Sequence, residues 1–241
     1  MPTIVDSKPS PDFVPISLGS VYNRNGASIP VDELADEGLA GKDISLIGEN
    51  VIRGIPFHLG DTDGDNILLL KDNEVTLNLD KPITCRYLLF IHTALPKRDI
   101  PDEDGITRPS RGRIILGNKV ADYQLIYEDG NVVSVPIRRR FAIGETRKDW
   151  GDECFEAVPL MKPIAVPTIS ERMSAGEPPD VIFGRSQTRV SGDPEGYRVP
   201  VGYWVYALEN QKPDQAITGI RFIPADASAL LIPGHDHPDH K

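Results

Sequence analysis

The chain has 241 residues and a formal net charge of −10 at pH 7, with 36 acidic and 26 basic side chains. Such an acidic chain argues against a nucleic-acid groove or an anionic membrane surface as partner, since both require a clustered positive field. The longest basic run, Arg138-Arg139-Arg140, alternates between the two faces of a strand, which favours an edge or solvated strand over a binding patch.

The predicted secondary structure consists almost entirely of short strands. Runs rich in Ile, Val, Leu, Tyr and Phe, separated by Gly, Pro, Asn and Asp, are typical of strands joined by turns. Only residues 31–42 have helical character, and they predict a short surface helix at most. In chain order, strands are predicted at residues 50–59, 66–70, 74–79, 83–93, 112–117, 122–137, 180–184, 202–209 and 217–224.

Two of these segments make more detailed predictions. Asp129-Gly130, between alternating apolar stretches, predicts a two-residue hairpin turn with positive φ angles. In VGYWVYAL, the alternation of side chains predicts that Trp204 faces the core, whereas Tyr203 and Val205 face the opposite side.

The order of the elements predicts the architecture. Successive strands without intervening helices favour an antiparallel β-sandwich, or jelly roll, over βαβ units. We expect a single domain over residues 1–241, with a core at about 48–233, an N-terminal arm at 1–47 and a His-rich tail at 234–241. Long loops in compact β domains are commonly functional, so a binding rim is expected in the connection 94–111 and in the Pro-rich region from about Val158 to Pro179.

The chain carries no recognisable targeting or membrane segment. No apolar run approaches the ~20 residues of a membrane span, and the first residues lack the basic start and apolar stretch of a secretory signal. We therefore expect a soluble chain, cytoplasmic by default. Cys85 and Cys154 are the only cysteines, and we interpret both as reduced thiols in or near the core, with one disulfide between them as the alternative.

Four segments, in their order along the chain, carry a resemblance to a known family. They are GIPFHLG (54–60), CRYLLFIHT (85–93), YEDGNVVSVPI (127–137) and YWVYALENQKPDQAITGIRFIP (203–224). Together they resemble the galactose-binding-like β-sandwich modules that accompany bacterial glycoside-processing enzymes. The resemblance implies a sandwich fold and a carbohydrate context, and it carries no catalytic residues. The long 94–111 and 158–200 regions depart from the pattern, so no rim contacts are transferred.

This resemblance sets the leading hypothesis for function. It is a non-catalytic module that binds or positions a carbohydrate for a glycoside-processing partner protein or for a catalytic domain absent from this chain. One alternative is a catalytic glycoside hydrolase or lyase subunit with its site among the two long loops. Another is a purely structural assembly module. The sequence has no Gly-x-Ser-x-Gly elbow and no phosphate-binding glycine loop, so catalytic residues stay unknown.

The candidate carbohydrate contacts are Trp150, Asp149, Asp152 and His92. An aromatic ring stacks on the C–H faces of a sugar while carboxylates accept its hydroxyl hydrogens, although a structural tryptophan covering the end of the sandwich is the alternative. His92 ends a strongly apolar strand, where a hydrogen-bonded histidine at the sandwich rim is the favoured alternative to a ligand contact.

The stretch GDTDGDN contains candidate metal ligands. Asp61, Asp63 and Asp65 have the alternate spacing with which carboxylates begin a calcium loop, but Asn66 stands where an EF-hand requires glycine. A plain Asp/Gly turn explains the same residues. We therefore expect no cofactor and no specific calcium response, with a calcium loop of another type as the alternative.

The C-terminal stretch GHDHPDHK contains a second set. His235, His237, Asp239 and His240 resemble the metal-binding signature of metallo-β-lactamase-type hydrolases. Those enzymes need further ligands, and one lysine follows here, so we interpret the stretch as a His-rich tail.

Overall fold

The computed structural model describes residues 5, 7–27, 46–61, 63–95, 116–146, 154–160, 202–225 and 230–233. These residues form eleven strands and one 3₁₀ helix, Gly19–Val21. The strands are β1 (Gly48–Ile52), β2 (Ile55–Leu59), β3 (Ile67–Leu70), β4 (Val75–Ile83), β5 (Tyr87–Ala94), β6 (Lys119–Tyr127), β7 (Val132–Arg138), β8 (Ala157–Pro159), β9 (Trp204–Glu209), β10 (Ile217–Pro224) and β11 (Leu230–Pro233). Within these ranges, no helix is long and apolar enough to cross a bilayer.

Two antiparallel sheets pack face to face. The strand order is β4-β10-β6-β7 in one sheet and β3-β11-β5-β9-β8 in the other. Their facing side chains form one buried cluster, the sandwich core, to which Tyr123 and Phe222 contribute from the first sheet and Phe90 and Trp204 from the second. Such facing layers are the arrangement of a β-sandwich, so the predicted all-β antiparallel sandwich is confirmed.

A hairpin of β1 and β2 covers the other face of the five-stranded sheet. Ile52 and Leu59 of the hairpin belong to a second buried cluster, together with Ile91 and Val205 of the sheet. All four residues of β3 are buried, and they alternate between the two clusters. The unbroken apolar run of β3 is therefore explained by burial on both faces, which leaves no solvated side for polar residues.

The N-terminal arm closes the edge of β3. The side-chain amide of Asn23 donates to the carbonyl of Leu69 at 3.0 Å, and its oxygen accepts the Leu69 N–H at 2.9 Å. The backbones of Arg24 and Ile67 exchange hydrogen bonds of 3.0 and 3.1 Å. An exposed strand edge invites pairing with other chains, so this part of the arm stabilises the sheet and also protects it.

The orientation predicted for the strand around Trp204 is confirmed. Trp204 lies in the sandwich core, whereas Tyr203 and Val205 lie in the second cluster beneath the hairpin. The indole N–H of Trp204 donates to the carbonyl of Glu145 at 3.1 Å, which satisfies its polar atom inside the core.

The turn between β6 and β7 differs in detail from the prediction. Of Asp129 and Gly130, only the glycine has a positive φ, 82°. The N–H of Gly130 donates to the carbonyl of Tyr127, and the N–H of Tyr127 donates to the carbonyl of Asn131, both at 2.9 Å. The loop is therefore a three-residue type I turn with a glycine bulge rather than a two-residue turn.

The segment 50–59 is a hairpin and not the single strand that was predicted. Arg53 and Gly54 have φ angles of 56° and 79° and form a two-residue turn between β1 and β2. Positive φ angles at both central positions match the twist of the flanking strands, but arginine rarely signals this turn.

Other predictions have mixed outcomes. The helix at 31–42, the strand at 180–184 and most of the strand at 112–117 lie outside the described residues. Strands β8 and β11 were not predicted. Cys85 and Cys154 are partly buried against the sandwich core and are not joined in a disulfide, as expected.

The arginine run lies only partly in solvent. β7 is an edge strand of its sheet, and Arg138 at its end is exposed, as predicted. Arg139 is buried instead: one guanidinium nitrogen donates to the Glu145 carboxylate, and another donates to the carbonyl of Leu95 at 3.1 Å. The expectation of a solvated run is wrong at Arg139, because the chain folds back and brings an acid into contact with it.

Candidate binding pocket

A pocket of about 410 Å³ opens between the N-terminal arm, β2 and the first half of β5. Phe13 and Val14 line it from the arm, Phe57 from β2, and Leu89 and Phe90 from β5. Side chains of β5 alternate in direction, so the pocket meets both faces of this strand. The pocket therefore passes from the outer layer of the molecule toward the sandwich core.

The pocket exists because β11 separates from β5. These strands pair only at Leu230 with Ala94 and at Leu231 with Thr93. The remainder of β11 pairs with β3 alone among the described strands, and it ends at Pro233, which has no N–H to donate to a ladder. The sheet therefore opens beside the first half of β5.

The lining changes in character from its base to its mouth. Phe90 and Ile220, at the base, are buried members of the sandwich core. Asp12, Val14 and Tyr87 are exposed and mark the mouth, with 84% of Val14 and 42% of Tyr87 accessible to solvent. A concave apolar base with a few polar groups at its entrance is the usual form of a small-molecule site.

Asp12 is the one acidic residue in the described lining of the pocket, and the guanidinium of Arg86 lies over the ring of Tyr87, 5.5 Å from its centroid, without lining the pocket itself. Asp12 lines the mouth, and the described lining includes neither lysine nor arginine. The ring nitrogen Nδ1 of His58 is hydrogen-bonded to the carboxylate of Glu49. With a chain net charge of −10, this arrangement disfavours an anionic ligand.

His92 lies outside this pocket and inside the sandwich core. Its Nε2 is 2.9 Å from the carbonyl of Ala142, and its Nδ1 is 2.9 Å from the hydroxyl of Tyr123. A carbonyl only accepts, so Nε2 carries the proton and Nδ1 accepts the hydroxyl hydrogen. Burial lowers the pKa of His92 to about 4, opposed by the bond to Ala142. The imidazole is therefore a neutral core group with no exposed surface for a sugar, in agreement with the alternative of a fully bonded histidine.

The aspartates of GDTDGDN lie on an exposed turn. Asp61, Asp63 and Asp65 are all exposed. Asn66 organises the turn, because its amide donates to the carbonyl of Asp61 at 3.0 Å while its oxygen accepts the N–H of Gly26 at 2.9 Å. In the described part of the chain, no group of three or more His, Cys, Asp or Glu side chains is arranged to hold a metal ion. The turn is thus stabilised by amide contacts of Asn66.

The remaining candidate residues lie outside the described ranges. They are Trp150, Asp149 and Asp152 of the predicted carbohydrate contact, and His235, His237, Asp239 and His240 of the tail. Their predicted roles stay predictions.

The residues that form the pocket were not predicted from the sequence. A usable signal was the apolar run YLLFI that begins β5, which is typical of a strand covered on both faces. The run does not indicate that the covering layers leave a space over Leu89, because that space depends on how strands distant in sequence separate.

Comparisons with protein-family models, with curated proteins and with solved structures found no match for this chain.

Proposed function

We propose that this chain is a non-catalytic β-sandwich module that binds a carbohydrate and positions it for a glycoside-processing partner. Support comes first from the segments that carry the resemblance. Each supplies strands to the folded layers: 54–60 contains β2, 85–93 contains most of β5, 127–137 contains the β6–β7 turn, and 203–224 contains β9 and β10.

The observation that carries the proposal is that three segments, each leading into or out of a long connection, are hydrogen-bonded to one another. The N–H of Thr146 donates to the carbonyl of Ala94 at 3.1 Å, and the N–H of Gly202 donates to the carbonyl of Thr146 at 2.9 Å. Residues 94, 146 and 202 border the 94–111 connection, the Trp150 segment and the 158–200 region respectively. We call this part of the sandwich the loop end. Loops clustered on a rigid scaffold are where β-sandwich proteins commonly bind ligands.

A buried arginine, Arg139, holds residues of the loop end and its neighbours in place. The guanidinium of Arg139 contacts both the Glu145 carboxylate and the Leu95 carbonyl, and the Trp204 indole donates to the Glu145 carbonyl. Arg139 and Trp204 are each 1% exposed, so these contacts are shielded from water. A rigid support lowers the entropy cost of binding, because less of the site must become ordered when the ligand arrives.

A glycan-array screen followed by calorimetric titration tests the proposal. Trp150→Ala is expected to weaken carbohydrate binding at least about tenfold while the melting temperature changes little, since stacking residues act as binding hot spots. Phe155→Ala is the matched control, because Phe155 is 70% exposed and outside the proposed contact set. Binding that survives Trp150→Ala would remove Trp150 from the site, and turnover of model glycosides by the wild type would favour the catalytic alternative.

A further inference from the structure

We propose that the pocket between the arm, β2 and β5 binds a neutral amphiphile, with its apolar part at the base and an uncharged polar head at the mouth. The described lining of the pocket does not include the loop-end residues Ala94, Thr146 and Gly202. The pocket lies beside the first half of β5, whereas the loop end is bordered by Ala94 at the far end of the same strand.

The size and lining of the pocket suit an apolar group. Its volume of about 410 Å³ falls within the range of small-molecule sites, roughly 300–1,000 Å³. Water filling it would amount to on the order of a dozen molecules. The side chains of Phe90, Ile91 and Ile220 at the base offer such water no hydrogen-bonding atoms. Displacement of this weakly bonded water by an alkyl chain or ring is therefore favourable.

The mouth of the pocket disfavours a ligand with a negatively charged head group. Asp12 carries a carboxylate there, and the side chains of Thr84 and Tyr87 add hydroxyl groups among the exposed lining residues. These groups can accept and donate hydrogen bonds to an alcohol or a similar uncharged head. A carboxylate or phosphate head would meet Asp12, and the described lining includes neither lysine nor arginine. The guanidinium of Arg86 is stacked over the Tyr87 ring, 5.5 Å from its centroid, instead of lining the pocket.

Fluorescence of the neutral probe N-phenyl-1-naphthylamine, titrated into the full chain, tests the ligand class. Its emission is expected to rise on binding and to fall when 1-octanol displaces it. At neutral pH, octanoate should compete at least about tenfold less well than 1-octanol, because the tail is matched and only the head charge differs. Absence of probe binding, or equal competition by the two compounds, would overturn the proposal.

Two variants locate the binding to this pocket. Leu89→Trp places a larger side chain in the pocket that Leu89 lines and should weaken probe binding at least about tenfold. Leu116→Trp is the control and should not weaken it, because Leu116 is 52% exposed and outside the lining. Asp12→Lys should reduce the difference in the concentrations of 1-octanol and octanoate needed to displace the probe. This variant stays informative if Leu89→Trp folds poorly. Unchanged probe binding in Leu89→Trp, or an unchanged difference between 1-octanol and octanoate in Asp12→Lys, would overturn the assignment.

The outcome is independent of carbohydrate binding. Trp150→Ala should leave probe binding unchanged, and Leu89→Trp should leave glycan binding unchanged. Loss of both activities in either variant, with the melting curve preserved, would overturn the separation of the two sites.

Discussion

Acidification is expected to destabilise this protein through the burial of one imidazole, that of His92. The ring is fully buried and stacks on Tyr206, with 5.9 Å between the ring centroids. Its two nitrogens are hydrogen-bonded to the Ala142 carbonyl and the Tyr123 hydroxyl. Its Nδ1 accepts the Tyr123 hydroxyl hydrogen, so protonation there would force the hydroxyl to turn and accept instead, and would place a charge in the core. Burial raises the pKa of the Tyr123 hydroxyl, which therefore remains a donor throughout this pH range.

The sign and size of the effect follow from proton linkage. The pKa of His92 is lowered from 6.5 to about 4 in the folded protein. Between these values the unfolded chain binds a proton that the folded chain does not, so the free energy of unfolding falls as the pH falls. Each pH unit corresponds to about 1.36 kcal/mol, which makes the total loss about 3 kcal/mol. The contribution is fully present above pH 6.5, and its loss is large against a typical stability of about 5–15 kcal/mol.

Urea denaturation of the wild type and of His92→Gln, at several pH values from about 7.5 to about 4, measures this loss. Glutamine retains hydrogen-bonding groups but does not titrate. The stability advantage of the wild type over the variant should shrink by about 1.4 kcal/mol per pH unit below 6.5. Carboxylates and the other histidines are shared by both proteins, so their titration cancels. A difference that stays constant with pH would refute the reasoning.

Three further perturbations test other contacts. Gly144→Ala would place Cβ 2.1 Å from the buried indole of Trp204 and should cost at least about 3 kcal/mol in urea denaturation, whereas Gly64→Ala, with nothing within 4 Å, should cost far less. Asn210→Ala removes a buried amide that bonds a tyrosine hydroxyl, a cysteine carbonyl and a lysine backbone, so we expect a loss of about 2–3 kcal/mol. Calcium should not raise the melting temperature, and a rise that Asp63→Asn abolishes would show that the turn holds an ion.

Local sequence patterns predicted the strands where side-chain alternation decides the structure. The strand 217–224 was predicted with the bounds that β10 has, and the inward direction of Trp204 followed from the period of two along its strand. Turn geometry was less predictable. Arg53 adopts a positive φ although its side chain gives no such signal, because strand pairing on both sides of the turn imposes the conformation.

Contacts between distant segments could not be predicted in the same way. Arg139 stands in a basic run that suggests solvent, but its burial depends on Glu145 and on the Leu95 carbonyl, which only the folded chain brings together. His92 was expected at the sandwich rim, as a hydrogen-bonded histidine or a sugar contact, but it is buried in the core and bonded to partners 31 and 50 residues away that leave no trace in the local pattern. The predicted contacts around Trp150 stay untested by the described residues.

The pocket illustrates why a site can be absent from the sequence pattern and still follow from simple rules. β5 has eight residues, and the described residues of β11 pair with two of them, Ala94 and Thr93. Pro233 ends β11 without a donor N–H, and the arm segment around Phe13 and Val14 lies over the resulting opening instead of another strand.

Because the five-stranded sheet is covered on both faces, an opening in it is lined by apolar side chains from two layers at once. A gap at the end of a ladder in a sheet with one solvated face would be polar and wet, whereas here the same gap is an apolar pocket with an acidic mouth. Its preference for neutral ligands thus arises from sheet topology at its base and from Asp12 at its entrance, and substitution at Leu89 or at Asp12 should change affinity and charge selectivity separately.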